Sequence, residues 1–251
     1  GAVGSPYTRK MLSLLSYRRI PYTMIWGDPA TALDRMGISK PKIPFLPTFI
    51  LDDDKGEPQA VCDSTPIIYR LEELQQDRSV IPDDPALAFI NFLLEDYGDE
   101  WCTKFMFHYR WHFSADADNA GNQLPLTMDV TLPKDSLQQF KSFFSERQIG
   151  RLGYVGSNDT TAPIIDASYR RLLSLLEEHL KNQHFLLGDR PGSGDFALFG
   201  QLSQLIGFDP TPRSIAHKVS PRTVAWVGTL EDQSGLELEE KSWRSLESVP
   251  T

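Results

Sequence analysis

The spacing of apolar residues changes character near residue 80. That change limits the chain to a mixed α/β unit followed by an all-helical one. Before it, helical and strand patterns alternate. Met11, Leu12, Leu14 and Leu15 predict a helix over about residues 7–18. The β-rich run Ile20-Pro21-Tyr22-Thr23-Met24-Ile25-Trp26 predicts a strand. Residues 28–42 are polar and Pro-containing, with one short helix at most. Thr48-Phe49-Ile50-Leu51 and Gln59-Ala60-Val61-Cys62 predict a hairpin across the turn Asp52-Asp53-Asp54-Lys55-Gly56. Ile67, Ile68 and Leu71 then predict a helix over about 66–74. From Pro85 onward the pattern is helical over about 86–112, 135–150, 162–181, 194–206 and 221–231. The polar, Gly-containing stretch 114–134 reads as a loop. The segment after Asp195 carries no charge, which predicts the buried centre of the helical unit.

Composition narrows the function. With 251 residues, 40% hydrophobic and 24% charged, this is an ordinary soluble globular chain. No apolar run reaches the roughly 20 residues of a membrane helix. A net charge of −9 without a basic stripe argues against nucleic acid as a partner. Cys62 and Cys102 make neither a disulfide framework nor a metal knuckle; both read as buried small hydrophobes of a protein in a reducing cytoplasm. His108 and His112 stand four apart, a spacing able to share a metal. No third ligand and no HExxH pattern accompany them, so no metal is expected.

Two helix starts carry the chemistry. In Ser5-Pro6-Tyr7-Thr8 a hydroxyl precedes a helix opened by proline, and Asp63-Ser64-Thr65-Pro66 repeats the arrangement. Each helix N-terminus presents free N–H groups and about half a positive charge, which suits a carboxylate or a thiolate. Two such ends could grip the two ends of one small anionic ligand.

The order Ser5-Pro6-Tyr7-Thr8-Arg9-Lys10, a proline-led strand, and Asp63-Ser64 is similar to the N-terminal half of the glutathione transferase family. Phe185-Leu186-Leu187-Gly188-Asp189-Arg190-Pro191, followed by Asp195-Phe196-Ala197-Leu198, resembles the family's buried helix and its capping segment. The resemblance covers essentially the whole chain and is closest to the classes with serine at the first helix. It implies a thioredoxin-like glutathione-binding domain over 1–78, an all-helical domain over 85–251 that forms the second-substrate pocket, and a homodimer. Two departures stand out. Only Gly1-Ala2-Val3 precede Gly4, where the family has a central strand, so the chain is expected to be cut at its N-terminus. Gly192 stands where the family more often has Ser or Thr as a cap, a change costing only a few tenths of a kcal/mol.

The resemblance assigns roles. Ser5 donates to the sulfur of glutathione and stabilises its thiolate, which attacks a hydrophobic electrophile. A free thiol ionises near pH 8.5, and each unit of depression corresponds to about 1.4 kcal/mol. Tyr7 and Thr8 are lesser candidates for this role. The absence of cysteine at position 5 disfavours disulfide exchange. Asp63 and Ser64 meet the γ-glutamyl end. Leu46 offers its backbone to the cysteinyl part, before Pro47, chosen as the cis-proline over Pro44 because Pro47 inside a paired strand would remove a ladder bond. Lys42 or Lys40 meets the glycyl carboxylate. The stripe Tyr97, Trp101, Phe105, His108 and His112 has helical spacing, and Trp101, Phe105 and His108 are expected to line the pocket for the electrophile. The 115–124 stretch is placed over that pocket as a lid. A glutathione-dependent lyase, isomerase or dehalogenase, and a non-catalytic binding protein, are the other functions these motifs allow.

Overall fold

The computed structural model describes residues 1–238 and 243–248. Ser5 caps the first helix, α1 (Pro6–Arg18), with proline at its first position. Asp28 caps the short α2 (Pro29–Met36) in the same way, its carboxylate accepting from Thr31 N–H at 2.8 Å. Strands β1 (Phe49–Asp52) and β2 (Pro58–Val61) pair antiparallel, Phe49 opposite Val61 and Asp52 opposite Pro58. Helix α3 (Ser64–Leu74) follows. The strand expected over 20–26 does not form. The segment carries no regular structure, and its pairing with the chain start is limited to Gly1 N–H to the Ile25 carbonyl (2.9 Å) and Gly27 N–H to the Gly1 carbonyl (3.0 Å). A strand needs a continuous ladder, and β-propensity alone does not supply one.

The helical part begins with α4 (Pro85–Asp96), continues through one π-helical turn (Tyr97–Cys102) and runs on as α5 (Thr103–His112). The expected loop over 114–134 is mostly a helix, α6 (Ser114–Met128). Its core stripe consists of the small residues Ala117 and Ala120, with Leu124 behind them, packed on Phe107 and Trp111. Small side chains gave that stripe little apolar contrast. Helix α7 (Lys134–Ile149) returns antiparallel beside α6. The rest comprises α8 (Ala162–His179), α9 (Ser193–Gly207), α10 (Pro210–Val219) and α11 (Pro221–Leu230). Of these, α10 lies outside the helical patterns of the sequence.

Helix α9 is buried from Ser193 to Ile206 and forms the centre of the molecule, as its charge-free run predicts. Its start is built around Asp195, whose carboxylate accepts from Leu186 and Gly192 N–H, both at 2.9 Å. Gly192 has a packing reason: the space a Cβ would take is filled by the Asn91 amide. That amide donates to Ser193 Oγ at 2.7 Å and accepts from Gly194 N–H at 3.2 Å. Helices α1 and α9 cross closely at Gly200, which joins the mixed unit to the helical one through a single core.

Candidate functional site

The start of α3 lines a cleft that Tyr7 of α1 also reaches, while Ser5 lies behind the wall and touches it through Leu46. Ser5 Oγ accepts from Thr8 N–H at 3.3 Å and donates to the Leu46 carbonyl at 3.4 Å. The second contact is long, so the hydroxyl can give it up for a better acceptor. The Leu46–Pro47 peptide is cis. Leu46, Pro47, Asp63 and Ser64 form one side of a cleft of about 620 Å³; Phe92, Glu95 and Asp99, from α4 and the π-helical turn, form the other.

Beneath the cleft lies a buried ion cluster. Lys10 of α1 is fully buried; its ammonium donates to Ser64 Oγ (3.0 Å), Glu95 Oε1 (2.8 Å) and Asp99 Oδ2 (2.6 Å). Thr65 Oγ1 also donates to Glu95 Oε1 at 2.8 Å. Because Ser64 Oγ accepts from Lys10, its own hydrogen remains available to an anion in the cleft. Burial pushes the Asp99 carboxyl up to about 6; Lys10 opposes this, and the charges of Glu95 and Glu100 add to it. Burial also works against the Glu95 charge, yet Lys10 holds that carboxyl below its usual range. Tyr7 reaches the same cleft, its hydroxyl donating to the Asp99 carbonyl at 2.8 Å. Burial pushes the phenol up to about 12, so it stays protonated at neutral pH.

The other expected residues divide. Asp63 is exposed, holds a φ of 78° and accepts from Thr65 N–H at 3.3 Å as the cap of α3. Lys42 is exposed outside the cleft wall, and Lys40 pairs with Asp34. Thr8 is buried and lines a different cavity, between α1 and the 20–25 segment. Cys102 is buried and Cys62 partly so.

The helical stripe is not a pocket wall. Trp101 is exposed beneath Lys104, whose ammonium lies 5.5 Å from the indole centroid. Phe105 packs on Tyr169 in the core. His108 is buried, stacks on His112 and meets Ser157 Oγ at 2.7 Å. Burial, with His112 beside it, pushes His108 down to about 4, leaving a neutral imidazole. The single π-helical turn breaks the register the sequence pattern assumed, so Trp101 and Phe105 no longer share one face. Among the described residues no group of three metal-binding side chains occurs.

An apolar cavity of about 480 Å³ lies instead between α2 and the α6–α7 pair, lined by Trp26, Met36, Leu124, Met128, Phe140 and Phe144. Leu124 packs on Gly4, the residue before Ser5. The motifs do not point to this cavity, because one of its walls, Leu124 to Leu132, comes from the stretch read as a loop and the others from the 25–36 segment and α7. Lys10, Glu95 and Asp99 were also not singled out. Their signal was present: Leu87, Asn91, Glu95 and Asp99 recur every four residues on one face, and Lys10 stands four residues before Leu14.

Residues 1–79 match the family model described as glutathione S-transferase, N-terminal domain, and residues 159–228 match its C-terminal counterpart. Together they span more than half the chain. A glutathione transferase from Burkholderia graminis, with two glutathione molecules bound per subunit, superposes with a TM-score of 0.53 at 17% identity, covering 90% of this chain and 80% of the other. A glutathione transferase family member from Pseudomonas fluorescens, with two glutathione bound, gives 0.54 at 15% identity, covering 91% and 85%. No curated protein sequence matches the chain.

Proposed function

Since this chain belongs to the glutathione transferase family, we propose that it binds glutathione in the 620 Å³ cleft and ionises the thiol with Ser5 for attack on a hydrophobic electrophile. One observation carries the reading. The Ser5 hydroxyl touches the Leu46 carbonyl, and Leu46 shares the cleft with Ser64 and Asp63. The glutathione bound in both structural relatives supports the choice of ligand.

In this reading the γ-glutamyl carboxylate meets the Ser64 hydroxyl and the first N–H groups of α3, and Asp63 meets the ammonium. The thiol lies by Ser5, where a donated O–H bond and the N-terminus of α1 favour its anion. Lys42 is the cation for the glycyl carboxylate. The electrophile is assigned to the apolar cavity between α2 and the α6–α7 pair, whose wall residue Leu124 packs on Gly4, the neighbour of Ser5 in the chain. The thiolate forms a bond to the electrophilic carbon, and the displaced group or added proton completes the step. Exposed Phe89, Phe92 and Leu93 on α4, with Tyr69 and Leu74 on α3, support a homodimer, which sedimentation would test.

Ultraviolet titration of bound glutathione in the wild type and Ser5→Ala tests the chemistry. The wild type should ionise the thiol well below pH 8.5, and the variant nearer to that value. Equal titration in both would remove Ser5 from the mechanism. Binding without ionisation or turnover would make this a non-catalytic glutathione-binding protein.

A further inference from the structure

The turn that carries Ser5 is held from outside its own unit. Ser5 N–H donates to the Ala2 carbonyl at 3.0 Å, closing a turn over residues 2–5. The two carbonyls inside that turn, of Val3 and Gly4, have no backbone donor. Gln204 Nε2, from α9, donates to Val3 at 3.1 Å. Arg110, from α5, donates through Nη1 to Gly4 at 3.1 Å. The next carbonyl, of Ser5, accepts Arg9 N–H at 3.1 Å and begins the helix. Every carbonyl from Ala2 to Ser5 therefore has a donor, and the two middle ones depend on side chains of the helical unit.

The grip is rigid. Arg110 is almost completely buried, and the rest of its guanidinium is engaged. Nε lies 3.0 Å from each oxygen of Asp209, Nη2 donates to Gln204 Oε1 at 2.9 Å, and the plane sits 4.5 Å from the Phe208 ring centroid. Asp209 is fully buried and supplies the countercharge, while the Arg110–Gln204 bond ties the two donors together. The planar fork spreads its donors over three nitrogens that face the Asp209 carboxylate, the Gln204 amide and the Gly4 carbonyl separately; a lysine has all its donors on one nitrogen and cannot span the same three positions. Fixing the Val3 and Gly4 peptide planes fixes where the Ser5 Cα–Cβ bond points.

We propose that Arg110, seconded by Gln204, is a positioning residue for the Ser5 hydroxyl, so that thiol ionisation in the mixed unit depends on a side chain of the helical one. This rests on the reading of Ser5 given above, and the test separates the two. Thiol titration of bound glutathione is measured in wild type, Arg110→Lys, Gln204→Leu and a control, Tyr169→Phe. The control loses a buried bond to the Pro212 carbonyl in the same helical unit, and its hydroxyl bonds neither the turn nor Arg110 nor Gln204. Amide exchange at Ser5 and Tyr7 is followed in the same four proteins.

Both turn variants should raise the thiol titration midpoint, with a tenfold or greater fall in kcat near pH 6.5 and at least tenfold faster exchange at Ser5. Tyr169→Phe should change none of these. If Arg110→Lys does not fold, Gln204→Leu decides, because it keeps the Arg110–Asp209 pair. If the wild type does not ionise glutathione, the proposed function fails. The exchange arm then still decides whether the turn is held from Arg110. Exchange and titration unmoved in the turn variants, or moved equally by Tyr169→Phe, overturn the proposal.

Discussion

Gly200 is where α1 and α9 cross, and replacing it with alanine tests whether that crossing carries the fold. A Cβ at Gly200 would lie 2.6 Å from the Pro6 carbonyl oxygen and 3.1 Å from Lys10 Cβ. The first obstacle is backbone, so no side-chain rotation relieves it. Ordinary contact begins near 3.4 Å, so the helices must part by about 0.8 Å. A gap of that size forfeits a quarter to a half of the dispersion between facing atoms, and overpacking of this kind typically costs about 1–3 kcal/mol. Alanine returns up to ~1 kcal/mol of helix propensity. A backbone obstacle places the cost at the upper end, leaving a net loss of about 2 kcal/mol. At roughly 2–4 °C per kcal/mol for a chain of this size, Tm should fall by about 4–8 °C. The assay is thermal unfolding followed by far-ultraviolet circular dichroism, with Gly228→Ala as the companion variant. Gly228 lies in α11 with nothing near its Cβ position, so that change should hold or raise Tm, by up to ~1 kcal/mol of stability. A Gly200→Ala protein that melts at or above the wild type would refute the claim of a tight crossing. Pro6 and Ser5 ride on the displaced end of α1, so thiol ionisation should weaken along with stability.

Two further outcomes follow from the buried ion cluster. Lys10→Met leaves Glu95 and Asp99 buried without their cation and should cost about 3–5 kcal/mol in urea unfolding at pH 7.5; a loss below 1 kcal/mol would mean the carboxylates had found other partners. Asp99 should also give a distinctive pH dependence. Its folded titration is raised from 3.8 to about 6, so its contribution is fully present below pH 4 and is lost as pH rises through 6. Between pH 4 and 7 the wild type should therefore lose up to about 3 kcal/mol relative to Asp99→Asn. Parallel stability curves for the two proteins across that window would exclude the raised carboxyl.

Much of the architecture was legible because it rests on local chemistry. Ser5-Pro6 marks the start of α1, the acidic turn at 52–56 sets the hairpin, and the charge-free run after Asp195 marks the central helix. Residues 20–26 misled because β-branched and aromatic side chains report tolerance of an extended backbone, while a strand exists only through its neighbours. Residues 114–128 misled for the opposite reason. Their helix buries alanine and glycine together with Asp116, whose carboxylate accepts from Thr211, so periodicity based on large apolar residues has little to detect.

The candidate site shows the same division at the level of single side chains. Helix caps can be read locally, since Ser5 and Asp63 satisfy N–H groups two or three residues away. The charges that support those caps cannot be read that way: Lys10 meets partners 54 to 89 residues distant, and Arg110 reaches back 106 residues to Gly4. A buried cation has few options, since leaving water is costly unless partners are fixed around it. Each of these two cations therefore sits where several elements meet. Lys10 does so under Ser64, and Arg110 does so behind the turn that carries Ser5. The hydroxyls at the two helix starts are set by tertiary charges as much as by their own turns. A lysine or arginine recurring in the apolar register of a helix, as Lys10 does before Leu14, is thus a sequence signal for the support of a site rather than for its contact surface.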